Sequence, residues 1–128
     1  MHVSLTCACT CLLLALACSG CADPAEATRL TEIKVTERGS DAAGEFCADF
    51  ALSDSQASDF FKRAIAIDAA RLHEFDMLPC YVRGTARLHG NPATWQVRAG
   101  GTAEVDSGAT HLLMACSSCD DLLGGKTQ

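Results

Sequence analysis

Near the C-terminus the chain reads LMACSSCDDLL, which sets Cys116 and Cys119 in a C-x-x-C pair with Asp120 and Asp121 directly behind. Thiols at that spacing can grip a metal, run thiol–disulfide exchange or close a structural crosslink. A tetrahedral zinc site wants four ligands, often as two such pairs. Beyond Cys21 there is one pair only, with Cys47 and Cys80 isolated, so no metal and no other cofactor is expected. A redox couple wants the motif at the N-terminus of a helix that follows a strand. Here DDLLGG leaves room for barely one turn, and the two carboxylates raise a thiol's pKa by like-charge repulsion. The residues favour a structural crosslink. A thiol–disulfide redox protein using Cys116 and Cys119 is the alternative.

Other residue types with chemical potential are scattered. HEFDMLPC offers His73, Glu74, Asp76 and Cys80, which reads more simply as a polar helix end followed by a buried thiol. Ser117 and Ser118 have no adjacent base. No G-x-S-x-G, H-E-x-x-H, phosphate-binding loop or dinucleotide fingerprint occurs.

The elements that must position these groups show in the periodicity. LTEIKVTER alternates at Thr31, Ile33 and Val35, as a strand does. FCADFAL alternates too, aligning Phe46, Ala48, Phe50 and Leu52. The period then becomes helical through Ala57, Phe60, Phe61, Ala64, Ile65 and Leu72. Ser53 and Gln56 form a capping box, so a helix is expected over about 54–72. Leu78 before Pro79 is biased towards extended backbone. The second half reads as a three-stranded meander: 80–88, the turn HGNP, 93–105, the turn DSGA, and 110–116. A four-residue first turn sets Leu88 opposite Ala93, Ala86 opposite Trp95 and Val82 opposite Ala99, all apolar, while polar pairs share the other face. The second turn sets Ala103 opposite Leu112. A one-residue slip would reverse both faces. The expected fold is α+β: one helix packed on a small antiparallel sheet, a C-terminal three-stranded meander plus one or two N-terminal strands.

That register has two consequences. First, Tyr81, Arg83, Arg87 and Arg98 share the outer face, with Arg83 directly opposite Arg98. Facing like charges are unfavourable. Either the guanidinium forks grip an anion or acidic partner, or Glu104 or a flanking carboxylate neutralises them. Second, Cys80 and Cys116 lie two strand spacings apart, roughly 9–10 Å, beyond the ~7 Å a disulfide spans. Two connectivities remain. Cys47–Cys80 with Cys116–Cys119 is preferred over Cys47–Cys116 with Cys80–Cys119. A regular strand with inward phenylalanines would point Cys47 away from either partner.

The other end of the chain sets the compartment. From Val3 to Ala17 the residues are apolar, small or hydroxylic, and no charge precedes Asp23. The block is shorter than the roughly 20 residues of a spanning helix and matches the apolar region of an export signal. LALACSGCADP resembles the end of a bacterial lipoprotein signal, in which a small pair such as Ser19-Gly20 precedes an obligatory cysteine. The resemblance covers about the first 21 residues. It implies that Cys21, or Cys18 as runner-up, receives a diacylglycerol and becomes the new N-terminus. Ala22 in the next position implies the outer membrane, its inner leaflet facing the periplasm. Two or more acyl chains give stable anchoring where one does not.

Residues 1–20 are then signal peptide, 21–29 a polar tether and 30–128 one globular domain. Of nine cysteines, four leave with the signal and one carries lipid. The even set Cys47, Cys80, Cys116 and Cys119 suits a disulfide framework in an oxidising compartment. Secretion with cleavage after Ala17 would leave six, also even. All 10 basic and 16 acidic residues stay in the mature part, and the net charge of −6 speaks against nucleic acid as a partner. The expected protein is an envelope lipoprotein held to the membrane by its anchor. Its task is binding an envelope protein, as an inhibitor or immunity-type module would, rather than catalysis.

Overall fold

The computed structural model describes residues 24–42 and 47–124. Cys18, Cys21 and Phe46, which carry the lipidation and part of the strand expectations, lie outside these residues. A four-residue helix α1 (Pro24–Ala27) leads into strand β1 (Leu30–Ser40), helix α2 (Asp54–Arg63), strand β2 (Ile65–Ala66), a 3-10 helix (Ala69–Glu74) and strands β3 (Cys80–Leu88), β4 (Asn91–Arg98), β5 (Thr102–Asp106) and β6 (His111–Ala115). The six strands form one open antiparallel sheet in the order β1-β3-β4-β5-β6-β2. The layer of helix on antiparallel sheet is as expected. The sheet is larger.

α2 starts where the capping box puts it. The Ser53 hydroxyl accepts from the Gln56 amide at 3.1 Å, and the Gln56 side chain accepts from the Ser53 amide at 2.9 Å. It does not run to residue 72. Ala64 turns extended, with ψ 149°, and Ile65 pairs with Ala115 while the Ile67 amide donates to the Leu113 carbonyl at 2.9 Å. Ile65 and Ile67 are β-branched and prefer this edge position to another helical turn. The helical spacing that reaches Leu72 belongs to the separate 3-10 helix.

The expected three-stranded meander is four-stranded. ATWQVRAGGTAEV is not one strand: it folds back at Ala99-Gly100-Gly101, so that Trp95 faces Val105 and Val97 faces Ala103. The first turn holds two residues, not four. His89 and Gly90 both take positive φ, 51° and 77°, the requirement of the hairpin turn that matches strand twist. Pairing therefore shifts by two: Ala86 faces Ala93, Gly84 faces Trp95 and Val82 faces Val97. The second hairpin shifts likewise, so that Ala103 faces Met114. An even shift preserves the faces. The residues of β3 to β6 expected to point inward are buried or half-buried, and Val82, Val97 and Val105 are fully buried. In β1 a bulge between Thr31 and Lys34 puts Leu30 inward and leaves Thr31 exposed, against expectation.

α2 covers that apolar face with Ala57, Phe60 and Phe61. Phe61 meets Phe60 and Trp95 edge-on, at 5.3 and 5.4 Å between centroids. The Trp95 indole lies across Gly84 and donates to the Thr85 carbonyl at 2.9 Å. A β-carbon at Gly84 would overlap both that ring and the Lys34 carbonyl, so glycine lets β1 and the indole close together.

FCADFAL is not a regular strand either. The Phe50 amide donates to the Cys47 carbonyl at 3.2 Å, closing a turn. Phe50 and Leu52 are buried as their spacing implies, while the turn swings Cys47 back to Cys80.

Candidate functional site

Strand β6 delivers Cys116 to one end of the sheet, where its amide donates to the Gly101 carbonyl at 2.8 Å. The chain then closes on itself: Cys116 and Cys119 are disulfide-bonded, with Cα atoms 5.6 Å apart. Cys47 and Cys80 are bonded too, their Cα atoms 5.1 Å apart. Cys80 and Cys116 sit on strands separated by two others. Cys116 and Cys119 are buried, at 4% and 0% exposure. The Leu122 and Leu123 amides bond back to the Cys119 carbonyl at 2.9 and 3.1 Å, giving a single turn and no helix N-terminus to lower a thiol's pKa.

One side chain fixes the loop to α2. Arg63 donates through Nη1 to the Ser118 carbonyl at 2.8 Å, and its two η nitrogens take the Asp121 carboxylate at 3.0 and 3.1 Å. Nη2 also reaches Asp59 at 3.1 Å. The Arg63 hydrogen bond, against an opposing effect of burial, holds the Asp121 carboxyl below the usual range. The same bond raises Arg63.

A cleft of about 230 Å³ opens beside this loop. The chain between the 3-10 helix and β3 passes over the Gly100–Gly101 turn, which has no side chains to obstruct it. A β-carbon at Gly100 would overlap the Asp76 carbonyl, and Phe75 lies 3.6 Å from where one would sit at Gly101. Phe75, Asp76 and Leu78 face Cys116, Ser117 and Asp120 across the cleft. Leu78 and its neighbour Met77 are 42% and 67% exposed. The two stretches that drew notice separately in the sequence, HEFDMLPC and CSSCDD, thus make one site. Sequence reasoning missed their meeting; the paired glycines were its only signal, as a place of close backbone approach.

The arginine face keeps its side of the sheet but not its expected register. Arg83 faces Gln96, and Tyr81 faces Arg98, because the pairing shift separates the two guanidinium groups. β1 runs alongside and supplies carboxylates. Arg83 meets Glu37 at 3.1 Å and Gln96 at 2.6 Å, with its guanidinium 3.9 Å over the Tyr81 ring. Arg87 meets Glu32 at 2.6 Å and Arg98 meets Asp41 at 2.5 Å. Each guanidinium thus has a carboxylate partner on β1 or on Asp41 just after it. His73 and His89 are local fasteners: His73 Nδ1 lies 2.6 Å from the Ala70 carbonyl and His89 Nε2 2.9 Å from that of Ala27. No cluster with metal-ligand geometry occurs among the described residues.

The domain therefore has two distinct ends. The chain enters beside the His89–Gly90 turn, where Leu30 pairs with Leu88. Both cystines and the cleft lie at the other, about 26 Å along β3. No protein family, curated protein or solved structure matches this chain.

Proposed function

We propose that the protein is a lipid-anchored binding protein of the bacterial cell envelope. Cys21 carries the lipid, residues 21–29 are the tether, and the far end of the domain meets a protein partner in the periplasm. The observation that carries the reading is the state of the cysteines: every one after Cys21 is in a disulfide, the economy of a chain that matures outside the reducing cytosol. The two-ended domain gives it direction. A tether joining at the His89 end presents the opposite end, with its exposed Met77 and Leu78, away from the bilayer. The Cys116–Cys119 bond and the Arg63 clamp hold that cleft's wall in one conformation, which lowers the ordering cost of binding.

The test is site-specific photo-crosslinking in intact cells. A photoreactive residue in place of Ser117, exposed in the cleft wall, is expected to give a discrete protein adduct, and one at Thr94 on the outer sheet face is not. Equal adduct patterns from both positions would overturn the assignment of the binding surface. Recovery of the chain in the soluble fraction after cell lysis would overturn the anchor.

A further inference from the structure

A second concavity lies where the tether joins the domain. Leu30, Phe61 and Ala64 line it, with Ser58 and Lys62 on the helix side. Its volume is about 370 Å³, within the ~300–1,000 Å³ of small-molecule sites. The lining is held open from behind. Phe61 is fixed edge-on by Phe60 and Trp95, and Leu30 is locked by pairing with Leu88. The hollow cannot collapse without repacking the core.

Its charge is opposite to that of the whole chain. Two cations line it in a molecule of net charge −6. Arg29 is engaged by Glu26 at 3.2 Å. Lys62 is exposed and, among the described residues, has no ion-pair partner: the lysine pair that does form is Lys34 with Asp54. An apolar floor under a rim that includes Thr28, Thr31 and one uncommitted ammonium is complementary to an alkyl chain ending in a single anionic head.

We propose that this pocket binds a single-chain anionic amphiphile, with the chain against Leu30, Phe61 and Ala64 and the head on Lys62 Nζ. The head is a carboxylate or a phosphate monoester, as a fatty acid or a lysolipid-type ligand would supply. The inference goes beyond the proposed binding of a protein partner and needs no acylation of Cys21, so each can fail alone.

The experiment is calorimetric titration of the mature, disulfide-bonded protein with octanoate, decanoate and dodecanoate below their micellar concentrations. Saturable 1:1 binding is expected, strengthening about fourfold per added methylene until the pocket is full. Decyltrimethylammonium should bind at least about tenfold more weakly than decanoate. Lys62→Glu should weaken decanoate by a similar factor, and Ser58→Trp, which fills the hollow from the surface of α2, should abolish binding. Near-UV circular dichroism of both variants confirms that they are folded. Decyl phosphate tested beside decanoate tells which head is preferred, and tighter binding of either supports the site. Absence of saturable binding, or binding unchanged by Ser58→Trp or by inversion of the head charge, would overturn it.

Discussion

The two cystines should contribute unequally, and the structure says by how much. Cys47 and Cys80 are 33 residues apart in sequence, Cys116 and Cys119 only 3. A crosslink acts mainly by restricting the unfolded chain, more so for a longer loop. The chain-entropy relation gives about 3.8 kcal/mol for the long loop and about 1.9 kcal/mol for the short one. Packing narrows the gap, since Cys116 and Cys119 are both buried whereas Cys47 is half-buried. Truncating one more buried sulfur costs on the order of 1 kcal/mol. Cys47→Ala/Cys80→Ala should therefore remain the more damaging pair by roughly 1 kcal/mol, or about 4–8 °C in Tm for a domain of this size. Urea unfolding at pH 7 checks this, with a second signature. Loss of the long-loop bond should raise the m-value by letting the unfolded chain expand, and loss of the short one should leave it nearly unchanged. If Cys116→Ala/Cys119→Ala unfolds at lower urea, or if the m-values move in the reverse order, the entropic assignment of the two bonds is wrong.

Three other outcomes are expected. Gly84→Ala should destabilise by about 1–3 kcal/mol in thermal unfolding, because the added carbon overlaps the Lys34 backbone, which cannot rotate away, as well as the Trp95 ring. Gly100→Ala should displace the chain at Asp76, so amide shift changes in NMR spectra should concentrate at residues 74–78 and 116–123 and leave the His89–Gly90 hairpin unaltered. The Asp121 carboxyl is depressed in the folded state, so its contribution is present above the ordinary value of 3.8 and is lost as pH falls through the lower folded value. Asp121→Asn should accordingly be less stable than the native chain at pH 5–7, and the difference should shrink steadily below about pH 3.8. A difference independent of pH would show that the Arg63 clamp does not act through charge.

What the residues disclosed in advance is mostly parity. Inward and outward faces of β3 to β6 follow from alternation, and parity survives the two-residue slip because only an odd slip inverts a face. The slip itself came from Pro92. A proline is naturally assigned to a turn because it lacks an amide donor, yet β5 reaches only as far as Thr94, so Pro92 sits where β4 has a neighbour on one side alone. His89 takes the left-handed position instead, a conformation unusual for any residue with a β-carbon. The break at Ala99-Gly100-Gly101 was hidden because alternation continues through it. Helix α2 showed its start in side-chain hydrogen bonds that are local, whereas its end depends on a distant strand: Ile65 leaves the helix to pair with Ala115. The cleft was illegible for the same reason. It forms from segments about forty residues apart, joined across a glycine turn.

The central claim concerns export, lipidation and the oxidation of the remaining thiols together. It is tested most directly by the intact mass of the mature chain extracted from membranes, alkylated before and after reduction. The account predicts a chain that begins at Cys21, carries a lipid adduct, takes up no alkyl group as isolated and takes up four after reduction, at Cys47, Cys80, Cys116 and Cys119. A soluble, unprocessed chain whose cysteines all alkylate without reduction would contradict it.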